Sequence, residues 1–428
     1  MRESLYPMVP VQEALSIILH HAQPLPVIDL SLEKALGMVL AEDVRSSRAL
    51  PPFDAAVVDG FALRVQDGYR SRRLIGEQMA GRVTDLVVEP DTAVRITTGA
   101  PLPAGADAVV KVEEADELQG LVTPFKREQL APGLGIRRMG SDVQADALLL
   151  PAGTVLDPTR LGVVASVGQC IVSVCRRPVV GVFSTGDELE NPGQPLGPGQ
   201  VWDSNRTTLL AMVRQAGGDP LDLGIIRDRP GDLENALANG LELADLLVTS
   251  GGVSMGELDL LKPLLQQWGE VHFGRVLMKP GKPLTFATVA PPGKSPGAIE
   301  RPVFALPGNP VSASVTFQLF VGPAIRRMMG HASAGAGLPL VSAVLGHPFT
   351  LDPERPEYHR VILQRHGNRF VARSTGSQAS SRLLSITGAH GLLLLEQADG
   401  TLPAGTERPV LVFDDIWLRT EVSGNNHD

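Results

Sequence analysis

The stretch 178–330 alternates short apolar runs with helical patterns, and this alternation constrains the fold more than any other feature of the sequence. Right-handed crossovers between parallel strands require helices, so the pattern predicts a doubly wound α/β domain. The strand-like runs and helical segments are VVGVFSTGDEL (179–189), DSNRTTLLAMVRQAGG (203–218), PLDLGIIRD (220–228), PGDLENALANGLEL (230–243), ADLLVTS (244–250) and LDLLKPLLQQWG (258–269).

The flanking regions are β-rich. Segments within 65–138 are short and separated by turns, which predicts an inserted β domain. A small-residue linker, GHASAGAG (330–337), precedes further strand-like runs that predict a C-terminal β domain. Helices are also expected over 9–21 and 32–39, and at a start marked by Asp157 and Pro158. The expected fold class is therefore α/β plus β, with several domains in 428 residues.

Composition excludes several classes of function. The net charge is −9 and no strong basic run is present, which argues against duplex nucleic acid as a partner. No apolar run approaches the roughly 20 residues that span a membrane, and MRESLYPMVP lacks the pattern of a secretory signal. We therefore expect a soluble, cytoplasmic protein. Cys170 and Cys175 lie in apolar VGQCIVSVC, at neither redox nor zinc spacing, and both are expected to be buried.

The loop TSGGVSMGELD (249–259) joins a predicted strand to a predicted helix. Gly251 and Gly252 allow backbone N–H groups to approach an anion, and the helix N-terminus and the Ser254 hydroxyl favour the same ligand. Glu257 and Asp259 occupy the first helical turn, where a carboxylate serves either the helix dipole or a metal ion. Taken alone, this stretch is equally well explained as a capped helix start.

Acidic residues follow three successive strands of the predicted sheet. Asp187 and Glu188 follow the first strand, Asp228 the second, and Glu257 and Asp259 the third. Because the carboxyl ends of parallel strands share one edge of a sheet, these carboxylates are expected to converge. An oxygen-only donor set favours Mg²⁺ over zinc. Capping of the following helix is the commoner role for any one of these acids, but the set as a whole favours a metal site.

Basic residues and a second Pro/Gly turn are expected at the same edge. MKPGKP (278–283) contains Lys279 and Lys282, with Arg275 just before it, and LPGNPVSAS (306–314) is a rigid turn that opens a helix. Acids for a metal ion, together with cations and amides for phosphates, are what phosphoanhydride cleavage requires.

These motifs, in this order, resemble the molybdopterin molybdenumtransferase (MoeA) family, which includes the E domain of gephyrin and its plant counterpart. The matching segments are PPFDAAVVDGFA (51–62), TTGAPLPAGADAVVKVEE (97–114), STGDEL (184–189), DSNRTTLLAMV (203–213), SGGVSMGELD (250–259), MKPGKPLTFA (278–287), LPGNPVSA (306–313) and, more loosely, GSQASSRLLSITGAHGL (376–392).

The resemblance implies an elongated homodimer of four-domain protomers with active sites between subunits. It implies a substrate, adenylylated molybdopterin, delivered by a partner adenylyltransferase, and a reaction that hydrolyses the phosphoanhydride, releases AMP and inserts molybdate with the help of Mg²⁺. The corresponding boundaries are 1–45 with 141–177 for a linking and dimerisation domain, 46–140 for an inserted β domain, 178–330 for a molybdopterin-binding-like α/β domain, and 331–428 for a barrel-like domain.

The resemblance also implies site residues. The metal ligands would be Glu188, Asp228 and Asp259, while Asp59 and Asp142 would handle water or molybdate; these five acids form the predicted catalytic set. The predicted substrate-binding residues are Thr98, Arg137, Thr185, Ser250, Gly251, Gly252, Ser254, Arg275, Lys279, Lys282, Pro307 and Asn309.

The sequence departs from the family pattern at three places. Residues 55–58, Ala-Ala-Val-Val, replace Asn-Ser-Ala-Met before Asp59; Arg275 replaces a common Lys; and His390 replaces Asn or Asp. These changes affect the positioning of groups rather than the class of reaction. Two alternatives stay open at this point: the adenylyltransferase that makes the substrate, and a scaffold that binds molybdopterin without turnover.

Overall fold

Two six-stranded sheets and a closed five-stranded barrel carry the fold over the residues that the computed structural model describes, which are 7–125, 129–252, 261–290, 299–332 and 337–413. The predicted site residues Ser254, Glu257 and Asp259 lie outside these ranges. None of the described helices is long and apolar enough to cross a membrane.

The N-terminal part contains the first six-stranded sheet, bracketed by segments that pair with one another. Its elements are β1 (Val9–Pro10), α1 (Val11–His21), β2 (Val27–Ser31), β3 (Val44–Arg45), β4 (Ala55–Ala56), β5 (Gly60–Leu63), β6 (Arg72–Gln78), β7 (Thr92–Ile96), β8 (Ala108–Lys111), β9 (Ala115–Leu118), β10 (Leu121–Pro124), β11 (Ile136–Arg137), β12 (Leu148–Leu150), α2 (Pro158–Ser166) and β13 (Ile171–Cys175). The sheet has the order β8-β5-β7-β6-β10-β9, and the outer pairs are β4–β11, β3–β12 and β2–β13.

The second sheet forms the α/β domain. Its elements are β14 (Val179–Thr185), β15 (Leu189–Glu190), β16 (Val201–Trp202), α3 (Ser204–Gln215), β17 (Asp219–Ile226), α4 (Pro230–Leu243), β18 (Leu246–Ser250), α5 (Leu261–Trp268), β19 (Gly269–Phe273), β20 (Val276–Leu277), β21 (Thr285–Val289), β22 (Arg301–Leu306), α6 (Pro310–Thr316) and α7 (Gly322–Met328). The order is β17-β14-β18-β22-β21-β19.

Four strands of this sheet, β17, β14, β18 and β22, are parallel, as the alternating sequence pattern predicts. Strands β21 and β19 are antiparallel additions at one edge. The sequence between β21 and β22, APPGKSPGAIE (290–300), is rich in Pro and Gly, and antiparallel neighbours do not need the long crossover connection that parallel strands require. The doubly wound arrangement therefore covers the part of the sheet whose ends carry the predicted site.

The C-terminal part is a barrel. Its elements are β23 (Leu340–Leu345), β24 (Phe349–Thr350), β25 (Glu357–His366), β26 (Arg369–Ser374), α8 (Leu384–Thr387), β27 (Gly391–Leu395), β28 (Thr401–Leu402) and β29 (Glu407–Val412). The strands form a closed barrel in the order β23-β26-β25-β27-β29, in which β29 pairs with β23.

The α/β sheet buries both faces because successive side chains of its strands alternate between two cores. In β14, Val180 and Val182 pack in the core that also contains Ala14 and Ile18 of α1, whereas Phe183 packs in the core beneath α4. Tyr358 from the barrel belongs to the first of these cores. The first core thus joins the N-terminal helix, the α/β domain and the barrel.

Predictions for one helix start, one helix and two cysteines had different outcomes. Helix α2 begins after Asp157, whose carboxylate accepts the Arg160 N–H at 2.8 Å, so this N-cap is confirmed. The helix expected over 32–39 is wrong, because only a single 3₁₀ turn forms at Leu32–Lys34. The prediction of two buried thiols is wrong for Cys170, which is exposed, and right for Cys175.

A buried ion cluster holds the amino end of the α/β sheet. Asp245 accepts two hydrogen bonds from the Arg176 guanidinium at 2.6 and 2.7 Å, one from the Val179 N–H at 2.9 Å and one from Arg301 at 3.2 Å. Burial by itself raises the pKa of Asp245, but the hydrogen bonds and the two guanidinium charges outweigh it, so the pKa lies below its usual range. The cluster ties the starts of β14, β18 and β22 together.

We expect Asp245→Asn to lower the free energy of unfolding at pH 7 by about 2–3 kcal/mol, because two guanidinium groups lose their anion. Because folding lowers this carboxyl pKa, the ionised group stabilises the fold at pH values above the pKa of the unfolded chain, which is about 3.9. This contribution is lost as the pH falls through the pKa of the folded protein. Urea titrations should therefore show a constant difference between pH 5 and 8 that narrows below pH 4. The exposed Asp399→Asn should behave like wild type, and a difference independent of pH would contradict the charge-pair account.

Candidate functional site

The parallel register brings four strand ends to one edge of the α/β sheet. Ser184 of β14 is paired with Ser250 of β18, and Ser250 with Leu306 of β22, while Thr185 is paired with Ile226 of β17. The loops that follow these strands are therefore neighbours although the sequence separates them. This edge is the candidate functional site.

Three acids lie in the loops of this edge. Burial, followed by the charges of Asp187 and Glu188, raises the pKa of Asp228 above its ordinary value. The Arg227 guanidinium donates to the Asp187 carbonyl at 2.9 Å and so links the two acidic loops. Within the described ranges no three acidic, His or Cys groups converge closely enough to hold a metal ion. The described acids therefore form a mutually repelling set, and the third predicted ligand, Asp259, lies outside these ranges.

A cavity of about 280 Å³ opens at this edge between the ends of β14 and β18, strand β16, the first turn of α3 and the Gly308–Pro310 turn. The Asn205 amide crosses its floor, donating to the Ser250 hydroxyl and to the Gly308 carbonyl, both at 2.7 Å. The hydroxyl of Thr185 is buried and has no hydrogen-bond partner in the described structure. The cavity therefore has a polar lining that Asn205 holds in place, with one unsatisfied hydroxyl buried beside it.

The double glycine is required by the backbone here. Gly251 and Gly252 have φ values of +93° and +68°, in the region that side chains disfavour. A Cβ on Gly251 would also lie 2.6 Å from the Thr185 carbonyl oxygen. The loop after β18 thus packs its bare backbone against the end of β14, as a phosphate-binding turn requires.

Asp59 lies in a different part of the chain, at the start of β5. Its carboxylate accepts the Thr98 backbone N–H at 2.6 Å and the Thr98 hydroxyl at 2.9 Å. The backbone hydrogen bond, then the hydroxyl, lowers the pKa of Asp59. Two predicted site residues, Asp59 and Thr98, are thereby brought together, and Asp59 is held as an exposed carboxylate.

Arg137 and Asp142 form a second predicted pair, joined as an ion pair that leaves both side chains half exposed.

The replacement of polar residues before Asp59 has a structural reason in the same region. Ala55 and Ala56 form the buried strand β4, paired with Ile136 and Arg137, where polar side chains would be desolvated. No hydrogen bond or ion pair among the described residues links these N-terminal groups to the acids of the α/β sheet.

Lys279 forms ion pairs with two acids of the C-terminal part. Its ammonium group lies 3.0 Å from an Asp352 oxygen and 3.4 Å from a Glu357 oxygen, both on the barrel. Burial lowers the pKa of Lys279, but the two carboxylates outweigh it and raise the pKa overall. The prediction that Lys279 binds substrate therefore stays untested, and the described contact is an ion pair between the α/β domain and the barrel.

The remaining predicted residues have structural contacts with other parts of the chain. The Arg275 carbonyl accepts the Val9 N–H at 3.0 Å, and the Lys282 carbonyl accepts the Val276 N–H at 2.9 Å. The buried Pro307 carbonyl accepts the Ser250 hydroxyl at 3.5 Å. Asn309 donates to the Ser380 hydroxyl at 3.1 Å and so joins the turn before α6 to the barrel.

Comparison with known proteins decides the family. Three family models match in order: the MoeA N-terminal region (domain I and II) over 9–168, the probable molybdopterin binding domain over 181–327, and the MoeA C-terminal region (domain IV) over 342–413. A molybdopterin molybdenumtransferase from Haemophilus influenzae is 35% identical, covering 90% of this chain and 94% of its own length. The chain belongs to the MoeA family.

Other relatives extend the comparison. Gephyrin from Dictyostelium discoideum is 38% identical over 97% of this chain, which spans 64% of gephyrin's length. The crystal structure of the molybdopterin biosynthesis MoeA protein from Pyrococcus horikoshii superposes with a TM-score of 0.79 at 26% identity, covering 95% of this chain and all of that chain. The predicted fold class, a multidomain α/β plus β protein of the MoeA type, is confirmed.

Sequence reasoning missed Arg360, which lies in β25 of the MoeA C-terminal region. This side chain is fully buried, and its two terminal guanidinium nitrogens have no hydrogen-bond partner in the described structure. Burial lowers the pKa of Arg360 to about 10. It lies two residues from Tyr358, on the strand face that packs against the α/β domain. The motif GSQASSRLLSITGAHGL, whose Ser385 accepts the Arg360 Nε–H at 3.0 Å, was the available signal.

We expect Asp228→Asn to raise the free energy of unfolding at pH 7 by about 0.5–1 kcal/mol, because it removes a partly buried, repelled charge. When folding raises a carboxyl pKa, stability is lost as the pH rises from the pKa of the unfolded chain through the pKa of the folded protein. At pH values below the unfolded pKa there is no such cost, so the stability gain of Asp228→Asn should disappear near pH 3.5. Urea titrations at pH 7 and near pH 3.5 measure the gain and its disappearance. Asp219→Asn, at the opposite end of β17, should show no gain, and a destabilised Asp228→Asn would refute the repulsion.

Proposed function

We propose that this protein is a molybdopterin molybdenumtransferase, which hydrolyses the phosphoanhydride of adenylylated molybdopterin, releases AMP and inserts molybdate into the dithiolene. The names of its relatives support the reaction class. The observation that carries the proposal is one sheet edge at which the strand-end acids, a double-glycine turn and a polar cavity meet. Delivery by a partner adenylyltransferase and a cytoplasmic location are further parts of this proposal.

The phosphate groups of the substrate would bind at the turn after β18. The Gly251 N–H already donates to the Leu306 carbonyl at 3.2 Å, so the half-buried Gly252 backbone and the Ser250 hydroxyl, which accepts from the Asn205 amide, would face the anionic oxygens. The free hydroxyl of Thr185 would gain a hydrogen bond that it lacks in the described structure. Binding would thus satisfy groups that the fold leaves ready for a ligand.

The acids of the same edge form the proposed Mg²⁺ site, in which two of the three ligands are described residues. Glu188 and Asp228 supply carboxylate oxygens, the donors that Mg²⁺ prefers, and Asp259 is the proposed third ligand. The pKa of Asp228 is raised by burial and then by the charges of Asp187 and Glu188, a repulsion that a bound cation would relieve. When bound, Mg²⁺ supplies positive charge toward the phosphoanhydride oxygens. The protein's own part is to hold these carboxylates beside the phosphate turn.

Molybdate is a dianion and would bind at Arg360. A buried guanidinium with two unsatisfied nitrogens favours a ligand that accepts several hydrogen bonds and neutralises charge. The Arg360 strand also contributes Glu357, which pairs with Lys279 of the α/β domain. The proposed oxyanion site therefore lies where the barrel meets the α/β domain.

Asp59 and Asp142 are proposed to act in the active site of a second copy. Both are exposed, and no described contact joins them to the strand-end acids of their own chain. A homodimer with active sites between subunits would bring the two groups together. Asp59, kept ionised by Thr98, would then act on water or molybdate in the partner's cavity.

The first experiment follows AMP release from adenylylated molybdopterin with Mg²⁺, in the presence and absence of molybdate. We expect molybdate-dependent release that falls at least 100-fold in Glu188→Gln, because removing one carboxylate leaves an incomplete cation site. Glu234→Gln, an exposed acid on α4, is the matched control and should retain full activity. Tight binding of the substrate without hydrolysis under any oxyanion or divalent cation would support the scaffold alternative instead.

A second test uses Arg360→Met, which removes the unpaired buried charge. Without oxyanion we expect this variant to be more stable than wild type by about 1–3 kcal/mol, since the apolar side chain carries no desolvation cost. Molybdate should raise the melting temperature of wild type but not of Arg360→Met. A molybdate response that survives in the variant would exclude this residue as the oxyanion site.

A further inference from the structure

We propose that Trp202 is a stacking platform at the mouth of the cavity, and that it binds a flat, fused nitrogen heterocycle, an adenine or a pterin. This inference rests on the proposed function, because the substrate named there carries one ring of each kind. It adds a recognition role that none of the predicted acids, amides or cations can fill.

The first observation is the exposure of the indole. Trp202 lines the cavity and is 54% exposed, although tryptophan is on average well buried in folded proteins. Its Nε1–H donates to the Gln194 carbonyl at 2.9 Å, so the polar edge of the ring is satisfied within the protein. The ring faces are therefore the surface left for a ligand.

The second observation is the rigidity of the backbone that carries it. Strand β16 pairs with β15, and the next residue, Asp203, is almost fully buried. Asp203 accepts hydrogen bonds from the Ser184 hydroxyl at 3.1 Å and from the Arg206 backbone N–H at 3.0 Å, and it forms an ion pair with the Arg206 guanidinium. A platform anchored in this way loses little conformational entropy when a ring stacks on it.

The third observation is the chemistry and size of the cavity beside it. Its lining includes Thr185, whose buried hydroxyl has no partner in the described structure, and the Ser250 hydroxyl that Asn205 orients, both suited to phosphate or hydroxyl groups. About 280 Å³ is at the low end for a ligand site, so it suits one part of a large substrate. A ring attached to a phosphate in the cavity would extend to the rim, where Trp202 lies.

Stacking on an aromatic ring tolerates any flat heterocycle, because every such ring has a π-face. Adenine and pterin rings are therefore both suited to Trp202, and separate ligands distinguish between them. AMP probes adenine, 6-hydroxymethylpterin probes pterin, and ribose 5-phosphate probes the phosphate without a ring. Each is titrated into the full-length protein by calorimetry and by tryptophan fluorescence.

We expect AMP or the pterin to quench fluorescence in wild type, and Trp202→Ala to lose the quench and bind that ligand about tenfold more weakly. Trp202→Phe should retain most of the affinity, because a smaller ring remains. Ribose 5-phosphate should bind Trp202→Ala and wild type within about twofold of each other. Trp268→Phe, outside the site on α5, should keep both the quench and the affinity.

Equal affinity of Trp202→Ala and wild type for both ring ligands would overturn the proposal, as would an equal loss of ribose 5-phosphate binding, which indicates general damage to the cavity. A change in oligomeric state without a change in ring binding would assign the exposed indole to a subunit contact and also overturn it. Ring binding that depends on Trp202 in a protein without transferase activity would support this inference and refute the proposed reaction.

Discussion

The parallel register of β14 with β17 and β18 is the constraint on which the rest of the site depends. It pairs Thr185 with Ile226 and Ser184 with Ser250, so three loops that are distant in sequence start at one edge. The double glycine then packs its backbone against Thr185, and Asn205 joins the ends of β18 and β22. A shift of one residue in this register would turn side chains to the opposite face and separate these groups.

Much of this arrangement was predictable from the sequence, because its causes are local. The alternation of strand and helix patterns, the glycines after β18 and the acids after β14 and β17 are each visible in short segments. The rule that parallel strands share their carboxyl ends then assembles them without knowledge of any contact. The N-caps at Asp157 and Asp203 were predictable for the same reason, since a cap depends on its own helix.

What the sequence did not reveal depends on contacts between distant segments. The pairing of Lys279 with Asp352 and Glu357, some 70 residues further on, is one such contact, and it leaves the predicted role of Lys279 in substrate binding a prediction. Arg360 has the alternating pattern of any β-strand, and nothing local shows that its guanidinium ends unpaired in an interface. Cys170 lies in an apolar run but just before its strand, where one residue decides whether a thiol is buried or exposed.

The two ends of the α/β sheet use the same side chain in opposite ways. At the amino end, Asp245 is buried between two guanidinium groups, and its carboxyl pKa is depressed. At the carboxyl end, Asp228 is less buried but lies beside two further acids, and its pKa is raised. Because a folded chain gains nothing from uncompensated repulsion, the carboxyl end is the place where a bound cation would relieve most electrostatic strain. The Asp245 charge cluster lies at the opposite edge, where it does not compete with that cation.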